Sequence, residues 1–192
     1  MSFKNTLVGL VVIVGVTSSF TLCADIGDTG PGGGIVFYES DDGSHRLEAA
    51  PINLEGKFSW GCLGENVADV DDVAFDAKDS QSGKHNTPLI AAACGSDSAA
   101  AAASDFSFGG FEDWFIPNKD ELKLMWRAIG TGCEFSDQAP PGCVNVAEIP
   151  KGWYWSSSES DSEKVWNQEL HGGGIDRSAR NIKLRVRVIR SF

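Results

Sequence analysis

Histidine is scarce in this sequence: His45, His85 and His171 are the only three in 192 residues, and they lie far apart. No two cysteines form a C-x-x-C pair, so a zinc site built on closely spaced ligands has no starting point. The G-x-S-x-G pattern of a nucleophile elbow is missing, and the serines of "YWSSSES" have no histidine near them in sequence. We therefore expect no enzyme and no cofactor. Basic residues are outnumbered 27 to 16, which leaves a formal charge of −11. A chain this acidic is not expected to bind nucleic acid non-specifically. Residues 7–16 form the main apolar run, about ten residues against the roughly 20 that a helix needs to cross a bilayer. No membrane span is expected.

That short run has the shape of a leader. Lys4 gives a positive start, residues 7–16 are apolar, and "TSSFTLCA" is small and mildly polar. This pattern predicts a cleaved signal peptide over residues 1–24 and a mature domain over 25–192, secreted, periplasmic or at the cell surface. Lipidation of Cys23 ranks second, because a large Leu22 precedes it. The remaining Cys62, Cys94, Cys133 and Cys143 suit two disulfides in an exported domain, with three connectivities open. The turn-rich loop "CEFSDQAPPGC" favours Cys133–Cys143, which leaves Cys62–Cys94.

The stretch "GDTGPGGGIVFY" (27–38) raises two possibilities that fail. A phosphate-binding loop needs its glycines between a strand and a helix, and here they precede a strand. A collagen triple helix needs glycine at every third residue over a long run, and Gly33 breaks the phase. A tight backbone turn into a first strand remains.

Beyond it, "IVFY" and "RLEAAP" read as a hairpin around the turn-forming tip "ESDDGSH". The excursion from Asn53 to Lys84 shows no period, and Trp60 and Phe75 are expected to anchor it inward. Thr87 as N-cap with Pro88 at the first position predicts one helix, which the alanine run continues or restarts. Asn118 and Glu121 form a capping box for a second, with Leu122, Met125, Trp126 and Ile129 on one face and Gly130 as its stop. "GWYWSSSE", "KVWNQEL" and "IKLRVRVIR" read as strands. Two helices with antiparallel sheets give an α+β fold.

Taken in order, "IGDTGPGGGIVFY", "LEAAP", "WGC", "KHNTPLI…AC", "DWFIPNKDEL", "YWSSSE", "VWNQEL" and "RVRVIRSF" resemble one family across nearly the whole mature chain. It is the C-terminal domain family of the Legionella collagen-like adhesin. Ile116 and Val188 stand where that family usually carries Leu and Pro, and the collagen stalk is missing. The resemblance implies a C-type-lectin-like architecture and a non-enzymatic role in adhesion, with a glycan or anionic surface polymer as ligand. A structural or protein-interaction domain with an acidic surface protein as partner is the rival expectation.

The charge is uneven. The last sixteen residues carry six basic side chains and no acidic one. Strand alternation would set Lys183, Arg185 and Arg187 on one face, about 7 Å apart, where they could meet successive sulfates or carboxylates. Alternatively these arginines pair internally with carboxylates such as Asp113, Glu121 or Glu159. Trp153 and Trp155 share a strand face around Tyr154, and one exposed tryptophan beside Tyr154 would make a sugar platform. Asp69, Asp71, Asp72, Asp76 and Asp79 are eligible calcium ligands, but lack the D-x-D-x-D-G order of an EF-hand loop; a solvated acidic loop is the plainer reading.

Overall fold

The computed structural model describes residues 24–67, 82–135, 137–145 and 149–192. The segment 69–79, with Phe75, and residues 1–23, where a signal peptide is expected, lie outside the described residues. Within them the chain is mixed α+β, with antiparallel sheets and both disulfides, Cys62–Cys94 and Cys133–Cys143.

The first hairpin pairs β1 (Ile35–Glu39) with β2 (Arg46–Ala49). Its tip is closed by Asp42, whose carboxylate accepts bonds from the hydroxyls of Ser40 and Ser44 and from the Ser44 amide. A last strand, β8 (Ile189–Ser191), adds to the other side of β2 and gives the order β1-β2-β8. The glycine loop before β1 turns back over this sheet. Gly32 and Gly34 donate their N–H groups to the buried carboxylate of Glu48. A side chain at Gly32 would put its Cβ 2.6 Å from Glu48 Oε1. The loop does cradle an anion, and that anion is the protein's own.

Four helices occur among the described residues, against the two expected. The first, α1 (Ser82–Cys94), begins five residues before Thr87 and carries Pro88 inside it. Proline lacks the N–H that the carbonyl four residues back would receive. Thr87 donates its hydroxyl to the Gly83 carbonyl at 2.7 Å and accepts from the Ile116 amide at 3.0 Å, tying the helix to the chain beside it. The alanine run is a separate helix, α2 (Ala99–Ser104), because Ser98 caps it through the Ala101 amide. Helix α3 (Lys119–Ile129) has the expected capping box between Asn118 and Glu121 and ends at Gly130. A single turn, α4 (Gly132–Phe135), follows.

Strands β4 (Trp153–Glu159), β5 (Lys164–Glu169) and β6 (Ile175–Ala179) form the second three-stranded sheet. The C-terminal segment, expected as one strand, is broken by a succession of partners. Its start, β7 (Lys183–Leu184), pairs with β3 (Phe58–Ser59). Arg185 then exchanges backbone bonds with Trp153 and Trp155. The carbonyls of Val186 and Val188 accept from Leu54 and Ala50, and Ile189 pairs with Phe115 before entering the first sheet. Each neighbour is too short to pair along the whole segment, so 183–191 runs as a spine through all of them.

Two apolar clusters lie against this spine. Trp60, Ile90, Trp155, Val165, Val186 and Val188 belong to one, with the small alanines of α2. Phe37, Leu47, Leu122, Met125, Leu170 and Ile189 belong to the other, against α3. Burying side chains of this size contributes about 1.5–3 kcal/mol each.

Candidate functional site

The basic C-terminus is largely turned inward. Arg180 is fully buried; its guanidinium lies over the Trp60 ring, pairs with Glu159 at 2.7 Å and donates to the Asp161 carbonyl. Arg190 pairs with both Glu48 at 2.9 Å and Asp113 at 2.6 Å, over the ring of Phe111. Arg187 is 2% exposed and donates to the Ala50 carbonyl at 2.8 Å. A buried cation is tolerable only with such partners. Asp113 and Glu159 therefore do pair internally with arginines, whereas Glu121 serves its own helix cap.

Two of the expected ligand contacts need correction. Arg187 is buried where residues 50–54 lie alongside 186–188, and its guanidinium is engaged by the Ala50 carbonyl. Tyr154 is fully buried, its hydroxyl donating to the Pro150 carbonyl at 2.6 Å and accepting from Asn53 at 3.1 Å. Burial pushes its phenol pKa up, against the Asn53 hydrogen bond and the nearby charges of Arg187 and Arg185. The structure thus brings Arg185 and Arg187 near Tyr154, with Tyr154 and Arg187 buried and Arg185 half-buried. Trp153 is 37% exposed, while Trp155, on the same strand face, is buried and donates to the Phe58 carbonyl. The chain closes over one end of that face only.

Lys183 has a different setting. The β3–β7 register sets it opposite Ser59, and Lys57 precedes Ser59 by two residues, on the same strand face. Ser59 also bridges to Ser98, just ahead of α2. The Cys62–Cys94 disulfide, with Cα atoms 4.9 Å apart, holds the end of β3 against the end of α1. Gly61 makes this approach possible: at φ +102° it has a backbone that favours glycine, and a Cβ there would fall 2.6 Å from Cys94 Cβ. The result is an open groove of about 580 Å³ lined by Lys57, Phe58, Ser59, Ser96, Asp97 and Lys183. It offers two ammonium groups, two hydroxyls and a carboxylate, while the Phe58 ring between Lys57 and Ser59 packs against the core.

Lys57, Ser59, Ser96 and Asp97 were not singled out from sequence. The available signal was the cysteine pairing, because a Cys62–Cys94 bridge sets "KFSWGC" beside "CGSDS". Among the described residues no three His, Cys, Asp or Glu side chains are placed to hold a metal ion. No family model matches the chain, and no curated protein matches it. The two disulfides are compatible with an oxidising, extracytoplasmic setting. Among the described residues no helix is long and apolar enough to cross a membrane.

Proposed function

We propose that this chain is a secreted or cell-surface binding domain of C-type-lectin-like architecture, non-enzymatic, which recognises a glycan or other anionic surface polymer. The groove between Lys57 and Lys183 is the observation that carries this reading. Sugars present hydroxyls at their edges and an apolar ring face, and acidic sugars add a carboxylate or sulfate. Lys57 and Lys183 supply charge-assisted donors for the acidic groups. Asp97 and the two serines exchange hydrogen bonds with hydroxyls. The burial of Arg180, Arg187 and Arg190 concentrates the exposed positive charge of the C-terminal segment on fewer residues, Lys183 among them. The family resemblance of the sequence supports the same role.

Probing arrayed acidic and neutral glycans with the chain tests this reading. Binding of acidic glycans that is lost in Lys57→Ala/Lys183→Ala is the expected result. Binding unchanged by that double substitution, or no binding to any glycan, overturns it.

A further inference from the structure

The sheet β4-β5-β6 has two faces, and α3 covers one of them, where Tyr154 and Leu170 pack with Leu122 and Met125. The opposite face carries Trp153, 37% exposed. Glu169 stands directly across from it on β5, and Gly174 lies beyond Glu169, its carbonyl accepting from the Glu169 amide. Cross-strand neighbours on one face have Cβ atoms about 4.5–5.5 Å apart. The indole and the carboxylate are therefore within reach of a single sugar ring.

The turn after β5 holds this corner in place. A Cβ at Gly174 would stand 3.2 Å from Trp153 Cη2, so glycine leaves room for the indole to lie against the backbone. A Cβ at Gly173 would collide with the ring of Trp126, which comes from α3. The turn is thus wedged between two indoles. The Glu169 carboxylate accepts from the amides of His171 and Gly172, which orients it and spreads its charge onto the turn. It keeps lone pairs for further donors. A preformed site avoids the ordering cost that a flexible one incurs on binding.

Charge then selects the ligand. The only basic side chains of these three strands, Lys164 and Arg177, alternate onto the α3 side. Asp176, exposed at the sheet edge, shares the face of Glu169. An indole beside carboxylates, with no cation from the sheet, suits a neutral polyol and repels an acidic one. The C–H bonds of a pyranose carry partial positive charge and sit well on the negative face of an aromatic ring.

We propose that Trp153 and Glu169 form a subsite for a neutral pyranose, its C–H face on the indole and one hydroxyl donated to the Glu169 carboxylate. The proposal goes beyond the anionic ligand of the Lys57–Lys183 groove and does not depend on it. Saturation-transfer NMR with methyl β-galactopyranoside, which presents a run of C–H bonds on one ring face, tests it. Saturable transfer, strongest at those ring protons, is the expected result. Trp153→Ala, at a partly exposed position and shown to be folded by circular dichroism, should abolish it. Glu169→Gln, which replaces a charged acceptor by a neutral one, should weaken binding about fivefold. The corresponding galacturonide should bind more weakly than the galactoside. Lys57→Ala/Lys183→Ala and added sodium chloride should leave galactoside binding unchanged, so the two sites succeed or fail separately. No saturable transfer, equal affinity in Trp153→Ala or in Glu169→Gln, or a galacturonide bound as tightly as the galactoside would each overturn the proposal. Tighter binding of Nα-acetyl-lysinamide would overturn it as well, marking the face as a contact for a basic chain.

Discussion

Glu48 and Arg190, 142 residues apart, meet at 2.9 Å inside the fold and join the first sheet's second strand to its last. The glycine loop closes on the other side of the same carboxylate, through Gly32 and Gly34. One buried anion therefore organises the loop, the first sheet and the C-terminal strand at once.

Removing either partner of this pair should be costly. Arg190→Leu leaves Glu48 buried without its cation and should lower stability by about 3–5 kcal/mol in urea unfolding. Combining it with Glu48→Gln should cost less than the sum of the two single changes, since the double variant leaves no buried charge unpaired. Gly32→Ala should destabilise on its own by about 2 kcal/mol, because its Cβ would fall 2.6 Å from Glu48 Oε1.

The two disulfides should differ in effect. Cys62–Cys94 closes a loop of 32 residues in sequence separation and Cys133–Cys143 one of 10. On loop-closure grounds, Cys62→Ser/Cys94→Ser should cost about 1 kcal/mol more than Cys133→Ser/Cys143→Ser. Thermal unfolding of the two variants checks the order. Glycan binding should also fall with the first pair removed, since that bridge positions the groove.

Glu121 gives a pH signature. It is fully buried in its capping box, and burial pushes its pKa from 4.5 up to about 8. Between those values the folded protein holds a proton that the unfolded chain has released. Stability from this group is therefore greatest below pH 4.5, falls as pH rises towards 8, and is level above. Glu121→Gln keeps the cap and removes the titration. Between pH 5 and pH 9 the Tm of the wild type should fall further than that of the variant. Parallel pH profiles would contradict this.

Tyr154 and Trp153 test the revised strand face. Tyr154→Phe strands the Asn53 amide and the Pro150 carbonyl and should cost about 1–2 kcal/mol. Trp153→Ala, at a partly exposed position, should cost less. Equal losses in urea unfolding would contradict the assignment of the two side chains.

Much of this architecture was legible in local signals. The capping box of α3, the first hairpin and the cysteine pairing each depend on residues close in sequence or on simple counting. Helix α1 begins six residues before the first helical position that Pro88 suggests, because proline is commonest at a first helical turn, whereas the Ile116 amide that bonds the Thr87 hydroxyl and ties this part of the helix down comes from a distant segment. The arginines failed as a single strip for a similar reason. Burial is decided by what lies alongside, which for Arg187 is the segment 50–54. The groove lies across three segments that the Cys62–Cys94 disulfide, the Ser59–Ser98 bridge and the β3–β7 pairing bring together, so no single stretch could reveal it.

The salt dependence of glycan binding tests the central claim most directly. Affinity for the tightest acidic glycan would be measured for the wild type and for Lys57→Ala/Lys183→Ala as sodium chloride is raised from about 50 to 300 mM, which shortens the Debye length from roughly 14 to 6 Å. The account predicts strong weakening with salt in the wild type, and weak, nearly salt-independent binding in the double variant. Affinity indifferent to salt in both proteins would contradict it.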